Sequence, residues 1–113
     1  MKKDSLLFVE HILENIEDIN TFVKNIDKDK FLKNKEKQNA VIRSLEIIGE
    51  AVKNLPREIT SKYTDIPWKE IAGTRDKITH HYFGVDLELI WKIVEESLPE
   101  LKQRVLKIKK TFK

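Results

Sequence analysis

Val41-Ile42-Arg43-Ser44-Leu45-Glu46-Ile47-Ile48-Gly49-Glu50-Ala51-Val52-Lys53-Asn54-Leu55-Pro56 is the stretch on which the fold turns. Val41, Leu45, Ile48, Val52 and Leu55 are spaced by four, three, four and three, which lays them along one stripe of an α-helix. A half-buried strand would instead need apolar residues alternating with a period of two. Pro56 closes the helix, because the residue before a proline is pushed out of the α region. Arg43, Glu46 and Glu50 fall off the stripe, where the ordinary role of such residues is a solvated network of i,i+3 and i,i+4 charges.

The same spacing recurs on either side. Ile12, Ile16, Ile19, Val23 and Ile26 form an earlier stripe, on a helix expected to open with Asp4 or Ser5 as N-cap. Asp27 to Asn34 reads as a lysine-rich connector, pinned in one short turn by Phe31 and Leu32. After a short segment from Arg57 to Tyr63, Asp65-Ile66-Pro67-Trp68 carries the signs of a helix start, with proline near the first helical position. That third helix is expected to run through Ile71, Ala72, Arg75 and Ile78 to about Tyr82, with Gly84 supplying a left-handed C-terminal residue. Asp86 can cap a fourth stripe of Leu87, Ile90, Val94, Leu98, Leu101, Val105 and Ile108, in which Pro99 predicts a kink or a break into two helices. The expected architecture is all-α: an antiparallel up-and-down bundle of four to five helices, forming a single domain over residues 1–113.

Composition agrees and narrows the chemistry. Apolar residues make up 40% and charged residues 36% of 113 positions, which suits amphipathic helices around one core and argues against disorder. With no cysteine there is no disulfide, no thiolate nucleophile and no cysteine-ligated zinc. His11 has no second ligand at metal spacing, so no metal site is expected. The apolar run near Met1 is far too short for a signal peptide or a membrane span, so a soluble, cytoplasmic protein without membrane association is expected. The net charge of +3 is uneven, because Lys102, Arg104, Lys107, Lys109, Lys110 and Lys113 crowd the C-terminal end. That end could attract phosphate backbones, or simply complement its own helix dipole.

Thr74-Arg75-Asp76-Lys77-Ile78-Thr79-His80-His81-Tyr82-Phe83 is the least core-like run in any helix of the chain. On an ideal helix Arg75 and Tyr82 fall about 20° apart, whereas His80 lies about 140° from Arg75. A site using both is therefore easier to assemble where a helix end borders a groove or meets a second copy of itself. The bland reading of His80 is a helix-terminal imidazole near the last carbonyls, and His81 reads as a surface or capping residue. Trp68 and Trp91, single tryptophans at helical spacing, read as core or dimer contacts.

Arg75, four residues, His80, one residue and Tyr82 match the Arg-x4-His-x-Tyr motif, and the chain here resembles the HepT-like ribonucleases of the HEPN superfamily. Pro67-Trp68-Lys69-Glu70-Ile71-Ala72-Gly73, Phe83-Gly84-Val85-Asp86-Leu87 and Ile47-Ile48-Gly49-Glu50-Ala51 are similar to the same family. Asp76 departs from it, since asparagine is commoner at that position. The resemblance implies the toxin of a toxin–antitoxin system, a metal-independent endoribonuclease in which the ribose 2′-hydroxyl attacks the adjacent phosphate. Arg75 and His80 would be the catalytic pair, and Tyr82 would position substrate and accept AMP during neutralisation, with Asp76 and Glu50 at the border of the site. It also implies a homodimer, an RNA substrate and a nucleotidyltransferase antitoxin as partner; ATP is used only by that partner, and the chain itself needs no cofactor.

The residue types suit that chemistry. An imidazole with an ordinary pKa of about 6.5 moves protons at cytosolic pH. A guanidinium, always charged and planar, suits the extra charge of a pentacoordinate phosphorus. The competing reading is a non-catalytic HEPN-like nucleotide-binding or scaffold subunit of a nucleotidyltransferase complex. A helical DNA-binding repressor is a poorer fit, because no short recognition helix with exposed Arg, Asn or Gln follows a tight turn.

Overall fold

The stripe from Val41 to Leu55 is buried along its whole length, with Val41 inaccessible and Ile48 only 2% exposed. In the computed structural model, which describes residues 3–74, 76 and 86–112, Val41 to Val52 lie on the second of three long helical elements among those residues, and Leu55 lies just past its end. The elements are α1 (Lys3–Phe22), α2 (Lys28–Leu32), α3 (Lys35–Lys53), α4 (Arg57–Thr60), α5 (Trp68–Ala72), α6 (Leu87–Lys92) and α7 (Leu98–Lys109). A π-helical turn, Ile93–Ser97, joins α6 to α7 into one rod. No strand occurs among the described residues, and none of their helices is long and apolar enough to cross a membrane.

α1 packs against both α3 and the α6–α7 rod. Glu17 pairs with Lys102 and Glu10 with Lys109, so rising numbers on α1 meet falling numbers on α7 and the two run antiparallel. The core between them is Ile12, Ile16 and Ile19 of α1, Val41, Leu45 and Ile48 of α3, and Ile90, Val105 and Ile108 of the rod. This is the all-α bundle that the apolar periodicities predict. Both tryptophans join it: Trp91 is buried, and Trp68 packs against the core with its indole N–H donating to the Tyr63 carbonyl at 3.0 Å.

Four local expectations are refined. α1 is already helical at Lys3, so Asp4 and Ser5 lie inside its first turn, where the Asp4 carboxylate complements the helix dipole. Its stripe stops being fully buried after Ile19, because the helix ends at Phe22 and Asn25 takes a left-handed φ of 65°. Asparagine is the ordinary non-glycine choice for that conformation.

The connector forms α2, with Asp27 accepting from the Lys30 N–H at 2.9 Å and Phe31 fully buried against Trp91, ring centroids 5.1 Å apart. Pro99 does not break the last helix. Proline offers no N–H to the carbonyl four residues earlier, and the backbone absorbs this by widening beforehand: the Leu98 N–H reaches the Ile93 carbonyl, five residues back.

The third helix is not continuous from Trp68 as expected. α5 ends at Ala72 with Gly73 as its C-cap, and Thr74 and Asp76 are helical again beyond it. Glycine is the weakest ordinary residue for a helix interior, so the interruption falls where the sequence resists helix least. The remainder of that expected helix, including Ile78, Tyr82 and Gly84, lies outside the described residues.

Candidate active site

Arg75, His80 and Tyr82 also lie outside the described residues, so the site is built from its two flanks. On the entering side, α5 starts after Pro67, and Thr74 donates its hydroxyl to the Glu70 carbonyl at 3.1 Å. α5 is seated on α3 at Gly49: a Cβ there would lie 3.4 Å from the carbonyl oxygens of both Ile71 and Ala72. The last turn of α5 thus packs closely on α3 at Gly49, with room there for a methyl but little more.

On the leaving side, Asp86 caps α6 by accepting from the Leu89 N–H at 3.0 Å. Glu88, in the first turn of α6, pairs with Lys28 of α2 at 2.5 Å. That carboxylate, by accepting a hydrogen bond and by its charge, raises the Lys28 pKa above the ordinary lysine value. The Phe31–Trp91 contact seats α2 on α6, with the exposed ion pair beside it at the first turn of α6.

The two expected border residues are described. Asp76 is exposed, two positions beyond Thr74. Glu50 is exposed on α3 directly after Gly49, its carboxylate 3.7 Å from the Lys53 ammonium, and its backbone carbonyl accepts from the Asn54 amide at 2.8 Å. Glu50 therefore neighbours the seat of α5, although an exposed pair at that distance holds its carboxylate only loosely.

A cavity of about 300 Å³ lies between α3, α5 and the α6–α7 rod. Its walls are mainly apolar, Leu45, Ile48, Ile71, Leu98 and Leu101 among them, with polar members that include Lys92 and Ser97. Arg104 reaches its edge but is committed, donating to the Asp65 carbonyl at 2.6 Å and pairing with Glu100 at 2.6 Å. Among the described residues no group of His, Asp and Glu could hold a metal ion.

The C-terminal basic run is the feature whose reading changes most. Lys102 faces Glu17, Arg104 faces Asp65 and Glu100, and Lys109 faces Glu10, so half of that positive charge is set against the bundle's own carboxylates. Sequence proximity could not reveal this, because two of the acidic partners lie on α1, at the other end of the chain. The role of Gly49 was also missed, although its setting in Ile48-Gly49-Glu50 was a cue: a glycine inside a strong helix stripe asks for a close backbone neighbour.

Comparison with known proteins gives a consistent picture. The family model described as "Ribonuclease HepT-like" matches residues 12–108, a span that includes Arg75, His80 and Tyr82. A protein of Methanocaldococcus jannaschii named "Putative RNase" is 54% identical over 98 residues, 87% of this chain and 81% of that protein. A protein of Thermococcus cleftensis named "Probable ribonuclease HepT" is 46% identical over 110 residues, 97% of this chain and all of that protein. Another Methanocaldococcus jannaschii protein, named "Gamma-glutamylcyclotransferase and putative RNase", is 51% identical over 96% of this chain, which spans about half of that relative's length. No solved structure matches the chain.

Proposed function

The chain belongs to the HepT-like ribonuclease family, and from that premise we propose that it is a metal-independent endoribonuclease acting as the toxin of a toxin–antitoxin pair. The observation that carries this reading is the family match over residues 12–108, which takes in the whole Arg75-x4-His80-x-Tyr82 run.

In the proposed reaction the ribose 2′-oxygen attacks the adjacent phosphorus and gives up its proton. The bond from phosphorus to the 5′-oxygen breaks, and that oxygen takes up a proton. The products are a 2′,3′-cyclic phosphate and a 5′-hydroxyl. His80 transfers protons, and Arg75 neutralises the charge that builds on the phosphoryl oxygens in the transition state. Tyr82 positions the phosphate or the 2′-hydroxyl. Each chain supplies one motif histidine while the reaction profits from two proton-transfer groups, so the working form is a symmetric homodimer sharing a composite cleft. A nucleotidyltransferase antitoxin neutralises the toxin by moving AMP from ATP onto the Tyr82 oxygen, releasing pyrophosphate.

The test incubates wild type, Arg75→Ala and His80→Ala with total RNA in EDTA and identifies the fragment ends. Cyclic-phosphate ends made by wild type and reduced 100-fold or more in both variants, on the order expected for loss of a general acid–base or charge-stabilising group, support the assignment. Equal cleavage by all three proteins refutes it.

A further inference from the structure

Resting on the ribonuclease reading, we propose that the connector from Lys24 to Lys37 is the surface that holds the phosphate backbone of single-stranded RNA. Residues 24–37 carry six lysines, at 24, 28, 30, 33, 35 and 37, against Asp27, Asp29 and Glu36. Of the chain's 22 basic and 19 acidic residues this leaves sixteen of each elsewhere, so the connector's excess equals the whole net charge of +3.

The two basic regions of the chain differ in what surrounds them. Lys102, Arg104 and Lys109 of the C-terminal run face carboxylates of α1, α7 and the Asp65 turn. In the connector only Lys28 is so engaged, and Lys24, Lys30, Lys33 and Lys35 are exposed with no ion pair among the described residues. Asp27, one of the three local acids, spends its carboxylate capping α2. Unpaired lysines attract a polyanion by releasing its condensed counterions, whereas lysines already facing carboxylates gain much less.

The platform is also firm and well placed. Phe31 is fully buried against Trp91, which holds α2 on α6, and Lys28 faces Glu88 in the first turn of α6. α6 begins directly after Asp86, and Tyr82 precedes Asp86 by only four residues, a stretch of chain that spans at most about 14 Å. A strand laid along the connector is thereby delivered to the end of the bundle from which the motif-bearing segment enters α6.

The test measures binding of a 2′-O-methyl RNA oligonucleotide, which lacks the attacking hydroxyl, so that affinity is read apart from cleavage. The variants are a connector quadruple (Lys24→Gln, Lys30→Gln, Lys33→Gln, Lys35→Gln), the same four changed to arginine, and a C-terminal control in lysines that already face carboxylates (Lys102→Gln, Lys109→Gln). Each phosphate contact on a single strand contributes about 0.7 to the slope of log affinity against log salt, or about fivefold in affinity at 0.1 M salt. The glutamine quadruple should therefore lose about 25-fold or more and flatten the slope by at least about 1.4, while the arginine series and the control stay within about threefold of wild type. Unchanged affinity in the glutamine quadruple, or an equal loss in the control, overturns the proposal. So does a connector variant that keeps RNA affinity while losing an acidic protein partner. If the connector loss is seen but wild type cleaves no RNA, the nuclease reading falls and the binding surface stands; the reverse pattern separates the two in the other direction.

Discussion

Gly49 of α3 packs against Ala72 of α5: a Cβ built on it would lie 3.4 Å from the Ala72 carbonyl oxygen, in ordinary contact, which leaves little room for a larger side chain. This contact fixes the end of α5, and the chain reaches Arg75 three residues later.

Substitution of Gly49 should follow from that distance. In Gly49→Ala the gain in helix propensity, about 1 kcal/mol, is set against a methyl at the tight edge of ordinary contact, so stability should change little. Gly49→Val must push its branches into the α5 backbone and should lose about 1–3 kcal/mol, read as a lower midpoint in urea, with RNA cleavage falling as well. A valine variant as stable as wild type would show that α5 is not seated on α3 in this way.

The ion pair between Lys28 and Glu88 predicts a signature at alkaline pH. Glu88 raises the lysine pKa in the folded state above its ordinary value. The folded protein therefore holds this proton more tightly than the unfolded chain does. The contribution is fully present below the unfolded lysine pKa, about 10.4, and is lost as pH rises through the folded value above it. Both side chains are exposed, so the effect is small and salt-sensitive. The difference in melting temperature between wild type and Glu88→Gln should hold steady from pH 8 to about 10 and then shrink. A gap that persists undiminished at pH 12 contradicts the assignment.

Tyr82 provides a covalent readout of the proposed neutralisation. When the chain is co-expressed with the proposed nucleotidyltransferase antitoxin, the peptide containing Tyr82 should gain the mass of AMP, and the modified protein should no longer cleave RNA. The added phosphate competes with the RNA backbone for Arg75 by charge and by bulk. Inhibited protein whose Tyr82 is unmodified would refute this route of control.

The apolar stripes were legible because burial imposes a helical period on the chain itself. Ile12, Ile16, Val41, Ile48, Ile90 and Val105 each fall where their spacing places them, inside the core. Asp86 was legible as an N-cap, since a short acidic side chain ahead of an apolar stripe has few other local uses. Pro99 was legible as a disturbance only, because whether a helix breaks or widens depends on neighbours that hold both sides in line. Gly73 was legible only as part of a family-like run, since a glycine in a periodic helix can be tolerated or can end it.

By itself the sequence determined that this chain is helical, where its buried faces lie and which side chains could handle a phosphodiester, because periodicity and residue chemistry are local properties. Tertiary structure alone decided that Lys102, Arg104 and Lys109 meet carboxylates while Lys24, Lys30, Lys33 and Lys35 meet none among the described residues, and that α5 packs on Gly49. Those outcomes depend on which helices become neighbours: Glu10 and Lys109 stand almost a chain length apart in sequence, and only antiparallel packing of α1 on α7 brings their charges together.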